Sequence, residues 1–171
     1  MNVPGPAAGG DPALPCVDAG RFKAVMRDFT AAVTVITCAG DGSRGNGMTA
    51  TAVCSVSADP PCVLVVVNRG NRSHALIDAS GRYAVNVLAP GQEALARHFA
   101  SRPDDPFAGV AHRAGATGCP LIEDCAAFLE CEVCGRFEAG SHTIFVGRVV
   151  AADVRGRGPL LYRDGRFLQA A

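Results

Sequence analysis

Apolar and polar positions along the chain repeat on two periods, and the switch between them divides it into elements. Phe22, Val25, Met26 and Phe29 recur at i, i+3, i+4 and i+7. That is one stripe of a helix over about 19–29, with Asp18 placed to cap it. Val33-Thr34-Val35-Ile36-Thr37 is β-branched and predicts a strand. Gly40-Asp41-Gly42-Ser43 carries turn chemistry. Gly47 to Ala58 predicts the next strand, stopped at Asp59-Pro60-Pro61 because proline cannot donate to a ladder. Val63 to Val67 is continuously apolar, a strand buried on both faces or lining a barrel. A polar loop, Asn68 to Arg72, leads into a short helix over 73–78 that Gly81 ends. Tyr83 to Leu88 predicts a strand, and Gln92 to Ala100 a helix with Leu95 and Phe99 one turn apart.

Residues 101–124 hold three prolines and three glycines and read as loop. Two long strands follow, over about 126–138 and 142–154, joined at Ala139-Gly140-Ser141. Leu160-Leu161-Tyr162 and Arg166-Phe167-Leu168 flank Arg163-Asp164-Gly165, whose Asp-Gly pair favours a tight hairpin turn. The total is six to eight strands and three short helices, with strands consecutive more often than alternating with helices. That order argues for a mainly β domain, an antiparallel barrel with helices packed outside. Residues 1–17, rich in Gly, Pro and Ala, read as a flexible tail ahead of one domain over 18–171.

Composition narrows the class. Hydrophobic residues make up 49% and charged residues 19% of 171 residues, a globular balance. Lys+Arg and Asp+Glu number 16 each, so no net charge favours nucleic acid or an anionic membrane. No apolar run approaches the roughly 20 residues that span a bilayer. The first residues lack the basic and apolar regions of a secretory leader. A cytoplasmic protein with eight reduced thiols is expected.

Most chemical templates fail. Cys131-Glu132-Val133-Cys134 has a zinc-type spacing, but it falls mid-strand, where i and i+3 point to opposite faces. No metal site is expected, and the thiols in apolar segments read as small core residues. The phosphate-loop and nucleophile-elbow patterns are absent from the sequence, and no G-x-G-x-x-G lies between a strand and a helix. Two segments remain. From Gly47 to Pro61 most side chains are short or hydroxylated, leaving room beside the backbone for a flat, acceptor-rich ring. Read alone, it is also an ordinary strand with a small-residue face. In Gly140-Ser141-His142-Thr143, the histidine begins a strand where it can reach a cleft or serve the structure.

In this order, the segments resemble the flavin reductase family, small reductases that supply reduced flavin to two-component monooxygenases. The matching stretches begin with Phe22 to Phe29, Val33 to Thr37 and Gly47 to Pro61. They continue through Val67-Asn68-Arg69 with Ser73-His74, Tyr83 to Leu88, Gln92 to Ala100, Gly118-Cys119-Pro120 and Ala127 to Cys131. His142 to Gly147 and Pro159 to Tyr162 complete them. The resemblance implies the FMN-binding, antiparallel split β-barrel. It implies hydride transfer from NADH or NADPH to FMN or FAD in a homodimer that serves a separate flavin-dependent oxygenase. It places Met48, Thr49, Ala50, Thr51 and Ser55 along the flavin ring. Asn68, Ser73 and His74 fall at the ribityl and phosphate end, closed by Phe99, Ala100 and Arg102. His142 matches the histidine at the nicotinamide site and is the candidate catalytic residue. Ser141 stands where an aspartate is common, and Ala52 where a serine is common. An FMN-retaining oxidoreductase with its own small substrate, and a non-catalytic flavin- or haem-binding module, are the rival readings.

Overall fold

The computed structural model describes residues 14–40 and 45–169. Residues 1–13 of the expected tail, and most of the turn expected at Gly40 to Ser43, lie outside them. Asp18 caps the first helix, α1 (Ala19–Arg27), its side chain accepting from Arg21 N–H at 3.0 Å. The short strand β1 (Ala31–Ala32) precedes β2 (Thr34–Cys38), which is buried throughout. Then come β3 (Asn46–Ala50), β4 (Val53–Ala58), β5 (Pro61–Asn68), α2 (Arg72–Ser80) and β6 (Arg82–Val87). After α3 (Glu93–Ala100) follow β7 (His112–Ala114) and β8 (Pro120–Ile122). The long β9 (Ala127–Ala139) and β10 (His142–Val154) precede the hairpin β11 (Leu160–Arg163) and β12 (Arg166–Gln169).

Seven strands form one antiparallel sheet in the order β3-β2-β6-β9-β10-β5-β4. Its edge strands β3 and β4 are consecutive in sequence, joined by Thr51 and Ala52 alone. In a flat sheet of seven strands those edges would stand roughly 29 Å apart. The two-residue link spans only roughly 10 Å, so the sheet is rolled. Ile36, Val63, Val65, Val67, Tyr83, Val85 and Phe145 fill its inner face.

Several expectations need correction. The strand expected over Gly47–Ala58 is two strands, on opposite edges of the sheet. Nothing local marks the break, because Thr51-Ala52 has no proline or glycine; the rolling of the sheet imposes it. Val63–Val67 is not buried on both faces: Val63, Val65 and Val67 point inward, while Leu64 and Val66 are half-buried. The 101–124 stretch contains the β7–β8 pair. The described residues hold twelve strands rather than six to eight, because the 47–58 run is two strands and the short β1, β7 and β8 carry no strand pattern of their own. Helix α1 ends at Arg27, and its apolar stripe is exposed: Phe22, Val25, Met26 and Phe29 are 56%, 56%, 45% and 62% accessible.

Two close contacts fix helix and loop positions. Phe99 of α3 packs where a Cβ on Gly47 would meet its ring at 2.5 Å, so only glycine lets α3 approach β3. In β9, Glu130 is buried and accepts from Thr117 N–H and Thr117 Oγ1–H, both at 2.8 Å, and from Ala116 N–H at 3.1 Å. Burial alone would raise its pKa. The Thr117 and Ala116 donors, with Arg113 nearby, outweigh burial and hold the carboxyl below its usual value. A carboxylate lowered in this way adds stability above its unfolded pKa and loses it as pH falls through the folded one. Glu130→Gln is therefore expected to cost about 2 kcal/mol at neutral pH. In urea unfolding series, that gap should narrow as pH drops below the ordinary value of 4.5. A gap that stays constant into acid would show that the charge contributes nothing.

Candidate functional site

The site is built on the free edge of β3. Thr49, Ala50 and Thr51 all line one cavity of ≈ 280 Å³, with Val33, Ala96, Arg97, Ala100 and Tyr162 among its other walls. Successive side chains of a strand point to opposite faces. Three consecutive residues on one cavity therefore mean that it runs along the strand's edge. As the last strand of the sheet, β3 has one row of backbone N–H and C=O groups outside the ladder. Thr49 Oγ1 donates to Ala96 O at 2.6 Å, tying α3 to this edge. Thr34 Oγ1 donates to Ala50 O at 2.7 Å. The Thr49 hydroxyl is therefore occupied in packing, and recognition along the edge falls to backbone groups and to exposed Thr51.

Cavities continue at both ends of that edge. Toward the start of β3, one of ≈ 240 Å³ is lined by Asn46, Gly47, Gly70, Asn71, Arg72, Arg102 and Asp104. Arg102 holds φ 56°, a region that non-glycine residues seldom adopt. Arg72 and Arg102 among its lining, with one carboxylate at Asp104, suit an anion. Past the other end, a shallow cavity of ≈ 560 Å³ is lined by Lys23, Met26, Phe29, Thr51, Ala52 and Tyr162. From Asn46 to Ala52 the groove follows roughly 20 Å of chain, the reach of an extended nucleotide.

The structure thus brings together Thr49, Ala50, Thr51 and Ala100 in the central cavity, with Arg102 in the next. It does not bring the other expected residues there. Met48 shares Ala50's face of the strand, packs against the core and does not line the cavity. Ser55 lies exposed on β4, at the far edge of the sheet. Phe99 is buried against Gly47. Ser73 is fully buried and bonded to Asn46 Nδ2 at 2.8 Å. His74 Nε2 lies 2.8 Å from Thr143 Oγ1, its ring tilted against Phe145. Asn68 accepts from Gly70 N–H at 2.8 Å and stands opposite His142 in the β5–β10 register. His142 lines none of these cavities; register places it opposite Asn68, the strand end that leads into Gly70 and Asn71. Ser141 Oγ lies 3.0 Å from His142 Nδ1, so a hydroxyl orients the ring where the resemblance expects a carboxylate.

All eight cysteines are free thiols. Burial pushes Cys38 and Cys125 up to about 11 and Cys131 up to about 12, which keeps them protonated core residues. Cys134 is exposed while Cys131 is buried, so the two diverge as the strand period requires. Sequence reasoning missed Tyr162, Phe167 and Arg97 on the central cavity. Tyr162 comes from the far end of the chain, placed by β1–β11 pairing of Ala31 with Tyr162, and only that long-range register signals it.

Comparison with known proteins gives the family. The pattern described as flavin reductase like domain matches residues 26–171. The chain is 41% identical over 157 residues to the NADH-dependent FAD reductase of Streptomyces globisporus, covering 88% of this chain and 85% of that one. It is 38% identical over 139 residues to a longer relative from Rhizobium meliloti, of whose length it spans 45%. Among solved structures, the Streptomyces globisporus C-1027 NADH:FAD oxidoreductase SgcE6, in complex with NAD and FAD fragments, superposes with TM-score 0.85. There the identity is 39%, over 92% of this chain and 98% of that one. BorF, the flavin reductase component of a bacterial two-component tryptophan halogenase, superposes with TM-score 0.81 at 36% identity, over 88% of this chain and 97% of that one. With its site on a free strand edge and its sequence matched over nearly the whole domain, this chain belongs to the flavin reductase-like domain family.

Proposed function

We propose that the chain is an NAD(P)H-dependent reductase of FMN or FAD that hands reduced flavin to a separate flavin-dependent oxygenase. The observation that carries this reading is the cavity along the β3 edge with an arginine pair beyond one end. Its size and walls fit the group. Small side chains leave a flat slot, the unladdered backbone offers donors to the acceptor-rich side of a ring, and Arg102 and Arg72 suit phosphate. Similar proteins named as an NADH-dependent FAD reductase and as a two-component reductase support the substrate class and the partner.

When bound, the nicotinamide and flavin rings themselves supply the hydride transfer. The protein's part is placement. Unpaired N–H groups on the β3 edge would donate to the polar side of a bound flavin ring, where negative charge grows on reduction. Ala96, Ala100 and Thr51 line the slot with short side chains, which would leave room to position flat rings. His142, opposite Asn68 at the start of β10, would hold the polar part of the nicotinamide nucleotide.

The rolled sheet is proposed to be the split barrel, and the exposed α1 stripe, with Val56 on β4, to be covered by a second copy in a homodimer. No helix among the described residues is long and apolar enough to cross a membrane. Free thiols accord with a cytoplasmic site of action.

The deciding experiment offers NADH and NADPH with FMN, FAD and riboflavin separately and follows nicotinamide oxidation. Turnover of free flavin is expected. A tightly yellow protein with negligible turnover would overturn the reading. In the same assay, His142→Ala should raise the nicotinamide KM while flavin KM holds. Unchanged kinetics would remove His142 from the site.

A further inference from the structure

The chain has no tryptophan and two tyrosines. Tyr83 is fully buried, its hydroxyl donating to Val63 O at 3.2 Å. Tyr162 is 37% exposed and stands, with Thr51 and Gly165, in the wall shared by the central and the shallow cavities. Register explains how it is held. On one side β12 brings Phe167 against it, edge-on, with ring centroids 5.5 Å apart at 60°. Arg97, itself on the central cavity, lies 4.9 Å over the Phe167 ring and braces that pair. On the other side its partner in β1 is Ala31, whose methyl group leaves the flank open. The hairpin carrying it is tied to the end of α1. Asp164 N–H donates to Arg27 O at 3.1 Å, and Arg163 pairs with Asp28 at 2.9 Å.

The result is an aromatic ring fixed at one edge, with free space beside its face, set across from the backbone edge of β3. We propose that Tyr162 stacks on the isoalloxazine ring and forms the wall of the flavin slot opposite the strand edge. A planar, electron-poor ring is the ligand that such a phenol recognises best. This rests on the flavin reductase reading and adds to it a contact residue that neither the motifs nor the resemblance supplied.

The tyrosine count makes the contact directly readable. A phenol touching a light-excited flavin passes it an electron and then recovers it, so emission is quenched with no net chemistry. With tryptophan absent and Tyr83 sealed in the core, Tyr162 is the one aromatic donor positioned to do this. FMN is the probe, since the adenine of FAD quenches its own flavin. Bound FMN is measured first by ultrafiltration of the full-length protein, and emission is then read per bound molecule.

Bound FMN is expected to emit several-fold less than free FMN, and Tyr162→Phe to bind FMN yet restore emission. Tyr83→Phe should keep the quench. Tyr162→Ala should raise the flavin KM by about 2- to 10-fold through the lost stacking, with nicotinamide KM unmoved. A bright wild-type complex, or quenching that survives Tyr162→Phe, overturns the proposal while leaving the reductase reading intact. Failure of FMN to bind overturns the proposal, and failure of FAD as well overturns the reductase reading; ultrafiltration with each flavin distinguishes these cases before any emission is read.

Discussion

Ala100→Trp is expected to stop flavin reduction while leaving the fold in place. Ala100 ends α3, is exposed, and lines the central cavity with Thr49, Ala50 and Thr51. An indole there projects into a space of ≈ 280 Å³ that a flat ring would otherwise enter. The exposed position has no core neighbours to displace, so stability should stay within about 0.5 kcal/mol. Even a 1 Å displacement of stacked reactants costs on the order of 100-fold in rate. Steady-state kcat/KM for NADH with FMN should therefore fall by ~100-fold or more. Near-native turnover in a folded variant would move the flavin away from the β3 edge.

The largest effect on stability is expected at Gly147. A Cβ there would lie 2.8 Å from the Cβ of Cys131 and from the Tyr83 ring, and closer still to the Tyr83 hydroxyl. The contact is made by atoms near the backbone and by a wedged ring rather than by a flexible tip. Tyr83 cannot retreat without breaking its bond to Val63 O, since it is completely enclosed. Overpacking of this kind costs up to about 3 kcal/mol. For a domain of this size, that lowers the melting temperature by roughly 6–12 °C. Calorimetry of Gly147→Ala measures it. A melting point within a degree of wild type would mean that β10 can slide away from β6 and β9. Activity, read on the remaining folded fraction, should be near normal, because Gly147 is remote from the groove.

Much of the fold is legible locally. Asp18 caps α1 as its side chain and spacing imply, and the Asp164-Gly165 pair turns β11 into β12. The long strands β9 and β10 follow from their β-branched content. What local pattern cannot show is the break at Thr51-Ala52. Two residues with ordinary strand propensity are parted there because the sheet returns on itself, a property of all seven strands together. Site residues divide along the same line. Thr49, Ala50 and Thr51 stand in the small-residue strand that local pattern marks, whereas Ala100 and Arg102 come only from the family resemblance. Phe99, Ser73 and His74 belong to the same neighbourhood in the chain. Their side chains, however, are taken up by Gly47, Asn46 and Thr143. Nothing near Tyr162 in sequence signals a ligand, because its importance arises from pairing with Ala31, at the other end of the chain.

With the Thr49 hydroxyl turned away to α3, a ring bound as proposed would be read by main-chain atoms that every amino acid possesses. Side-chain drift along this edge is then nearly silent so long as residues stay small. Discrimination is displaced to the arginine-lined end, where Arg72 and Arg102 meet whatever follows the ring. A scaffold arranged this way separates the part of its ligand that must never change from the part that distinguishes one nucleotide from another. New nucleotide preferences can then evolve at one end of the groove without re-inventing the ring site.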